Sequence, residues 1–261
     1  MDLPRQLFER AAASPEAPWL FFRSGLDWRW RSHRHVADQV VRSVAALEAT
    51  SPAQPTAVRL VQEPDAVAAL VAALAAGRSP RLEPLGTDAP WLAECRGTLD
   101  VIETEFRSDP DASPTPSDAE GMRFSLQLAR DSEHFAALVR PVLKGITIRP
   151  ILYAGASLDM SRTAALAAWS LRVESPWALE SQADAFAATA LWTRPHLLLA
   201  GRGELEAVLP YVGRSERRQS RLRAVVLVDG AGDGALEAAV AERWGCPLLA
   251  WLPTRPAAPG R

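Results

Sequence analysis

Short apolar runs that each give way to a helix-patterned stretch constrain this chain more than any other feature. In the second half, His196 to Ala200 leads into a helical Glu204 to Val212, and Leu222 to Val228 leads into Ala235 to Trp244. Pro247 to Leu252 closes the series. The same reading gives strands at Met122 to Leu128, Ile146 to Tyr153 and Leu171 to Glu174. Helices at Ser132 to Leu143, Met160 to Trp169 and Leu179 to Trp192 are interleaved with them. Runs that are apolar throughout belong to strands buried on both faces. Repeated βα units therefore predict an α/β fold of mainly parallel sheets covered by helices.

The first half follows the same rhythm. Leu7 to Ala13 reads as a helix, Trp19 to Phe22 as a strand and Leu26 to Arg31 as its hairpin partner. Ser32 is the predicted N-cap of a helix that sets Val36, Val40, Val44 and Leu47 on one face. Thr56 to Val61 reads as a strand, then Pro64 opens a helix and Gly77 closes it. Arg81 to Leu85 is a further strand, Trp91 to Cys95 a helical turn and Leu99 to Thr104 a strand. Ser108 to Gly121 holds three prolines and no large apolar residue, so it is predicted to be a flexible surface connection. The expected organisation is a first α/β half over 1–107, a linker over 108–121 and a second α/β half over 122–261, with the halves packed as one unit.

Several classes of function are excluded by charge and composition. A net charge of -2 supplies no basic field for nucleic acid or an anionic membrane. Cys95 and Cys246 lie far apart with no CxxC pair, which argues against a zinc site or a disulfide framework. The N-terminal stretch carries acids and lacks the apolar core of a signal peptide. The most apolar run, Ala66 to Gly77, falls short of the about 20 residues that span a bilayer. A soluble cytoplasmic protein is expected. Of 29 basic residues only Lys144 is a lysine, so any lysine chemistry rests on that side chain.

Each local motif has a bland counterpart that outweighs it. Gly230, Gly232 and Ala235 match a dinucleotide-type turn between a strand and a helix, but the next strand ends without the acid that would hold a ribose. Gly201-Arg202-Gly203 lacks the third glycine, since Glu206 occupies it. Gly155-Ala156-Ser157-Leu158-Asp159 lacks the final glycine of a nucleophile elbow, so Ser157 or Asp159 reads better as a helix cap. His33 and His35 do not share a helical face, and His134 and His196 read as core or surface histidines. The run Arg214 to Arg223 is the one basic cluster, a solvated loop or a dock for an acidic partner.

The order of segments resembles the N-terminal domain of the adenylate-forming superfamily, which includes acyl- and aryl-CoA synthetases, adenylation domains of peptide synthetases, and luciferases. The residues that carry the resemblance are LFERAAASPEAPWLFF, WRSHRHVADQVVRSVAALEA and TAVRLVQEPDAVAALVAALAAGRSPRLEPL in the first half. In the second half they are ALESQADAFAATALWTRPHLLLAGRGELEAVLPYV and RLRAVVLVDGAGDGALEAAVAERWGCPLLAWLPT. The resemblance implies a nucleotide site at Asp229, Gly230, Gly232 and Thr254, with ATP or AMP as its only candidate cofactor. It also implies an acyl-substrate position at His196 and Gly201.

The departures from the family are specific. Its glycine-rich phosphate loop with a lysine corresponds to MRFSLQLARDSEHF, which has neither glycine nor lysine and carries Asp131 and Glu133. Arg255 stands where the family places a magnesium-binding glutamate. The family's ribose aspartate, hinge and C-terminal domain find no counterpart before Arg261. The expectation is a degenerate relative with no catalytic residue and no metal ligand. It would act through a protein partner, such as an acyl carrier protein, through self-association, or through a residual acyl or nucleotide pocket. An acid ligase completed by a separate chain and a purely structural module are the alternatives.

Overall fold

The structure is a computed structural model that describes residues 2–24, 27–49, 64–76, 94–98, 101–105, 117–147, 150–155, 160–180, 186, 190, 193–213 and 220–252. Helix α1 (Leu3–Ala13) precedes the hairpin β1 (Pro18–Ser24) and β2 (Asp27–Ser32). Helices α2 (His33–Ala49) and α3 (Pro64–Ala75) and a small antiparallel pair, β3 (Glu94–Thr98) and β4 (Val101–Glu105), follow. Then come α4 (Ser117–Leu143), β5 (Leu152–Ala154), α5 (Met160–Val173), β6 (Trp177–Leu179) and β7 (Leu197–Ala200). Helix α6 (Arg202–Val208), β8 (Ala224–Leu227), α7 (Gly234–Trp244) and β9 (Leu248–Ala250) complete the described chain.

Seven strands form one sheet in the order β2-β1-β6-β5-β7-β8-β9. Only the β1–β2 hairpin is antiparallel, and every other pairing in this sheet is parallel. The α/β fold with a mainly parallel sheet is thus as the sequence predicts. Side chains leave the central strands alternately, as the pleat requires. Leu152, Leu197, Leu199, Ala224 and Val226 enter one core together with residues of α1 to α5. Tyr153, Leu198, Ala200, Val225 and Leu227 enter the other, with Phe186, Leu205, Leu236, Val240 and Trp244. The sheet therefore lies between two helical layers.

Polar contacts tie the first helix to the middle of the chain. The Arg10 guanidinium donates to the Leu171 carbonyl at 2.9 Å and the Arg172 carbonyl at 3.2 Å, and pairs with the Glu174 carboxylate. It thereby satisfies carbonyls that the end of α5 leaves without intrahelical partners. The Trp19 indole N–H donates to the Ser170 hydroxyl at 2.8 Å, and the ring packs edge-on against Trp177. Ser32 caps α2, since its hydroxyl accepts from the His35 N–H at 3.2 Å.

Several expected elements are corrected. Met122 to Leu128 is helix rather than strand, and the flexible connection expected over 108–121 gives way to helix from Ser117 onward. Leu128, Ser132, Phe135 and Val139 recur at helical spacing and are all buried, so the longer period wins over the local alternation. Ser132 accordingly lies inside α4 rather than at its start. Leu171 to Glu174 continues α5 to Val173, and Glu174 ends it at φ 55, with the Ser175 N–H donating to the Ser170 carbonyl. Leu179 closes β6 rather than opening a helix. Glu94 and Cys95 begin β3 rather than ending a helical turn. The strands expected at Thr56 to Val61 and Arg81 to Leu85 lie outside the described residues.

This layered core makes a direct prediction. Leu199→Ala, at a position with 0% exposure, will cost about 2–5 kcal/mol in chemical denaturation. Val41→Ala, on the exposed face of α2, will change stability by less than about 1 kcal/mol.

Candidate functional site

Open parallel sheets place ligand chemistry at the carboxyl ends of their strands. Here the ladder runs on past each strand. Gly155 N–H donates to Leu199, Val228 N–H to Ala200 and Trp251 N–H to Leu227, at 2.9, 3.1 and 2.9 Å. These bonds align Gly155, Gly201, Asp229 and Trp251 along one edge. Of the residues expected at a site, Gly201, Asp229, Gly230 and Gly232 come together here. Thr254, like Arg255, lies outside the described residues.

Carboxylates saturate this edge. The Gly201 N–H donates to the Glu204 carboxylate at 2.8 Å, and the Arg202 N–H donates to Asp229 at 2.8 Å. Two N–H groups at the start of α6, those of Gly201 and Arg202, are therefore engaged by anions of the chain itself. Arg202 also pairs with Asp233 at 2.9 Å and with Glu206 at 3.6 Å. Asp233 caps α7 by accepting from the Leu236 N–H at 2.8 Å. That bond, followed by Arg202, holds the Asp233 carboxyl below the usual carboxylate range. Asp233 in turn raises the Arg202 guanidinium above its ordinary value.

The glycines are not equivalent. A Cβ on Gly155 would lie 2.6 Å from the Glu204 carboxylate oxygens, so that carboxylate, held by the Gly201 N–H, would have to move. A Cβ on Gly232 would meet Leu248 Cδ2 at 3.0 Å, whereas Gly230 faces open space. Glu204 is the principal residue that the sequence reading missed. Its signal was its position three residues after the helix-capping Gly201.

The stretch expected to stand for a phosphate loop is built in another way. Residues 122–135 lie within α4, where backbone N–H groups donate to carbonyls one turn back. Asp131 is buried and accepts from Gln127 at 3.0 Å and from the Ser161 hydroxyl at 3.3 Å. The same helix contributes Phe135, whose ring centroid lies 4.6 Å from that of Trp251. Arg162 stacks over the Trp251 ring and donates to its carbonyl at 3.1 Å. Trp251, at the carboxyl end of β9, is thus turned inward and buried.

His196 stands apart from this group. It precedes β7, whereas Gly201 follows it, so the strand length separates them. Five residues of extended chain place the two about 16 Å apart. Among the described residues, no three His, Cys, Asp or Glu side chains gather in a way that could hold a metal ion. Cys246 is a free buried thiol whose pKa burial pushes up to about 11. No helix among the described residues is long and apolar enough to cross a membrane.

No protein-family model and no curated protein matches the sequence. Solved structures do match the fold. A benzoate CoA ligase from Burkholderia xenovorans superposes with a TM-score of 0.67 at 15% identity, covering 96% of this chain and 60% of its own. O-succinylbenzoate coenzyme A synthetase from Bacillus subtilis, in complex with AMP, gives 0.62 at 15% identity, covering 93% and 71%. A long-chain-fatty-acid-CoA ligase from Archaeoglobus fulgidus gives 0.63 at 11% identity, covering 95% and 62%. The chain has the α/β fold of the AMP-binding domain of adenylate-forming ligases, and it spans roughly three fifths of two of these three proteins.

The Gly155–Glu204 contact yields a prediction. Gly155→Ala will destabilise the protein by about 1–3 kcal/mol through overpacking. Removing the facing carboxylate as well, in Gly155→Ala/Glu204→Ala, will cost less than the sum of the single changes in a double-mutant thermal-unfolding cycle. Gly230→Ala will be close to neutral.

Proposed function

We propose that this protein is a catalytically silent relative of adenylate-forming ligases that uses the fold as a binding scaffold. The observation that carries the reading is the helical state of residues 122–135. A phosphate cradle needs several backbone N–H groups free to point at one anion. Within α4 those groups are committed to the helix, and the buried Asp131 adds a charge that repels phosphate. The carboxylates of Glu204, Asp229 and Asp233 extend the same repulsion along the strand ends.

The proposed binding target is a protein partner or a small acyl or nucleotide ligand held at the carboxyl ends of the strands. The protein partner matched by charge is an acidic one of acyl metabolism, such as an acyl carrier protein, docking on the basic run 214–223. Self-association would serve the same scaffold role. The buried free thiol of Cys246 fits a reducing, cytoplasmic setting. The fold itself favours the alternative, an acid ligase completed by a second chain.

A calorimetric titration with ATP and magnesium separates these readings. The silent-relative reading expects no heat of binding into the millimolar range and no pyrophosphate exchange with a panel of carboxylic acids. Micromolar ATP binding, or exchange with any acid, would sink it and establish the ligase reading.

A further inference from the structure

At the amino ends of the parallel strands, opposite the edge described above, lies a cavity of about 420 Å³ lined by Gly145, Thr147, His196, Ser220, Arg221 and Arg223. This volume lies within the range of small-ligand sites, about 300–1,000 Å³. His196 is 3% exposed. Its Nδ1 accepts from the Ile151 N–H at 3.0 Å, which leaves the ring proton on Nε2. Nothing among the described residues accepts from that Nε2.

The two guanidiniums deepen the imbalance. Arg221 and Arg223 both lie close enough to His196 that, after burial, their charges depress its pKa further. Among the described residues no carboxylate pairs with either of them. The Ser220 hydroxyl accepts from the Leu222 N–H at 3.1 Å, so its own proton remains available to donate. Two like charges beside one another repel unless an anion lies between them.

We propose that this cavity binds a small molecule bearing a phosphate monoester. The ligand's oxygens accept from His196 Nε2, from the Arg221 and Arg223 guanidiniums, and from the hydroxyls of Ser220 and Thr147. A phosphate monoester near neutral pH carries close to two charges, which matches two guanidiniums better than a single carboxylate does. A small ligand is favoured over a protein surface because His196, one of the residues lining the cavity, is itself buried. The site is independent of the carboxyl ends of the strands and of whether they retain any function.

The test is a titration of the full chain with inorganic phosphate, glycerol phosphate and succinate, followed by NMR of the His196 imidazole and by thermal shift. Both phosphates are expected to move the His196 resonance and raise the melting temperature, with succinate weaker by about tenfold or more. Arg221→Ala/Arg223→Ala, two exposed positions, should weaken phosphate binding by at least about tenfold while leaving the circular dichroism unchanged. His196→Gln, read by calorimetry and thermal shift, should also weaken it. No movement of the His196 resonance at tens of millimolar phosphate would overturn the site. Equal binding by the double arginine variant would do the same, and succinate binding as tightly as phosphate would overturn the assignment to a phosphate ligand and point to acidic protein side chains instead.

Discussion

Each central strand is three or four residues long, and the sheet it belongs to is buried on both faces. A parallel strand so placed needs apolar side chains in both directions and a helix on each side. Leu197, Leu198, Leu199 and Ala200 meet that need in consecutive residues. Helices α1 to α5 cover one face, and α6, α7 and Phe186 cover the other. The rest of the architecture follows from this double burial. The crossover helices must return each strand to the same sheet edge, and their turns leave Gly155, Gly201 and Asp229 in a row.

That row carries a charge pattern set by the chain's own capping needs. Glu204 and Asp229 engage two N–H groups at the start of α6, and Asp233 engages one at the start of α7. Arg202 links three of the surrounding carboxylates into one network. A network of this kind stabilises two helix starts and holds the turns in place. It also engages the N–H groups of Gly201, Arg202 and Leu236 at the two helix starts. The same residues that fix the local structure thus alter what the edge can bind.

The β1–β2 hairpin, β7, β8, β9 and most of the described helices were legible because their signals are local. The runs around β7, β8 and β9 are apolar throughout, and Pro64 and Ser32 mark helix starts. The resemblance to adenylate-forming enzymes was legible in the order of segments, and the fold bears it out. Helix α4 was misread because Met122 to Leu128 alternates over a short window, while the buried set Leu128, Ser132, Phe135 and Val139 needs a longer one. The end of α5 was misread because its stop is tertiary: Arg10, far away in sequence, holds the carbonyls there. The cavity around His196 was not legible, since Thr147, His196 and Ser220 to Arg223 meet only through the sheet.

The position of the hairpin has a consequence for how the chain assembles itself. Beyond its hairpin partner β2, β1 joins the sheet beside β6, with Leu20 opposite Trp177. Trp19 reaches Ser170 across 151 residues. The β1–β2 hairpin leaves a ribosome before α5 and β6 and therefore has no place beside β6 until they have been made. At roughly 5–20 residues per second, that interval lasts many seconds. Pairings across such separations also slow folding, because a long loop must close before the contact stabilises anything. β1 thus waits uncovered after synthesis, and a strand made before α5 and β6 is seated only after them.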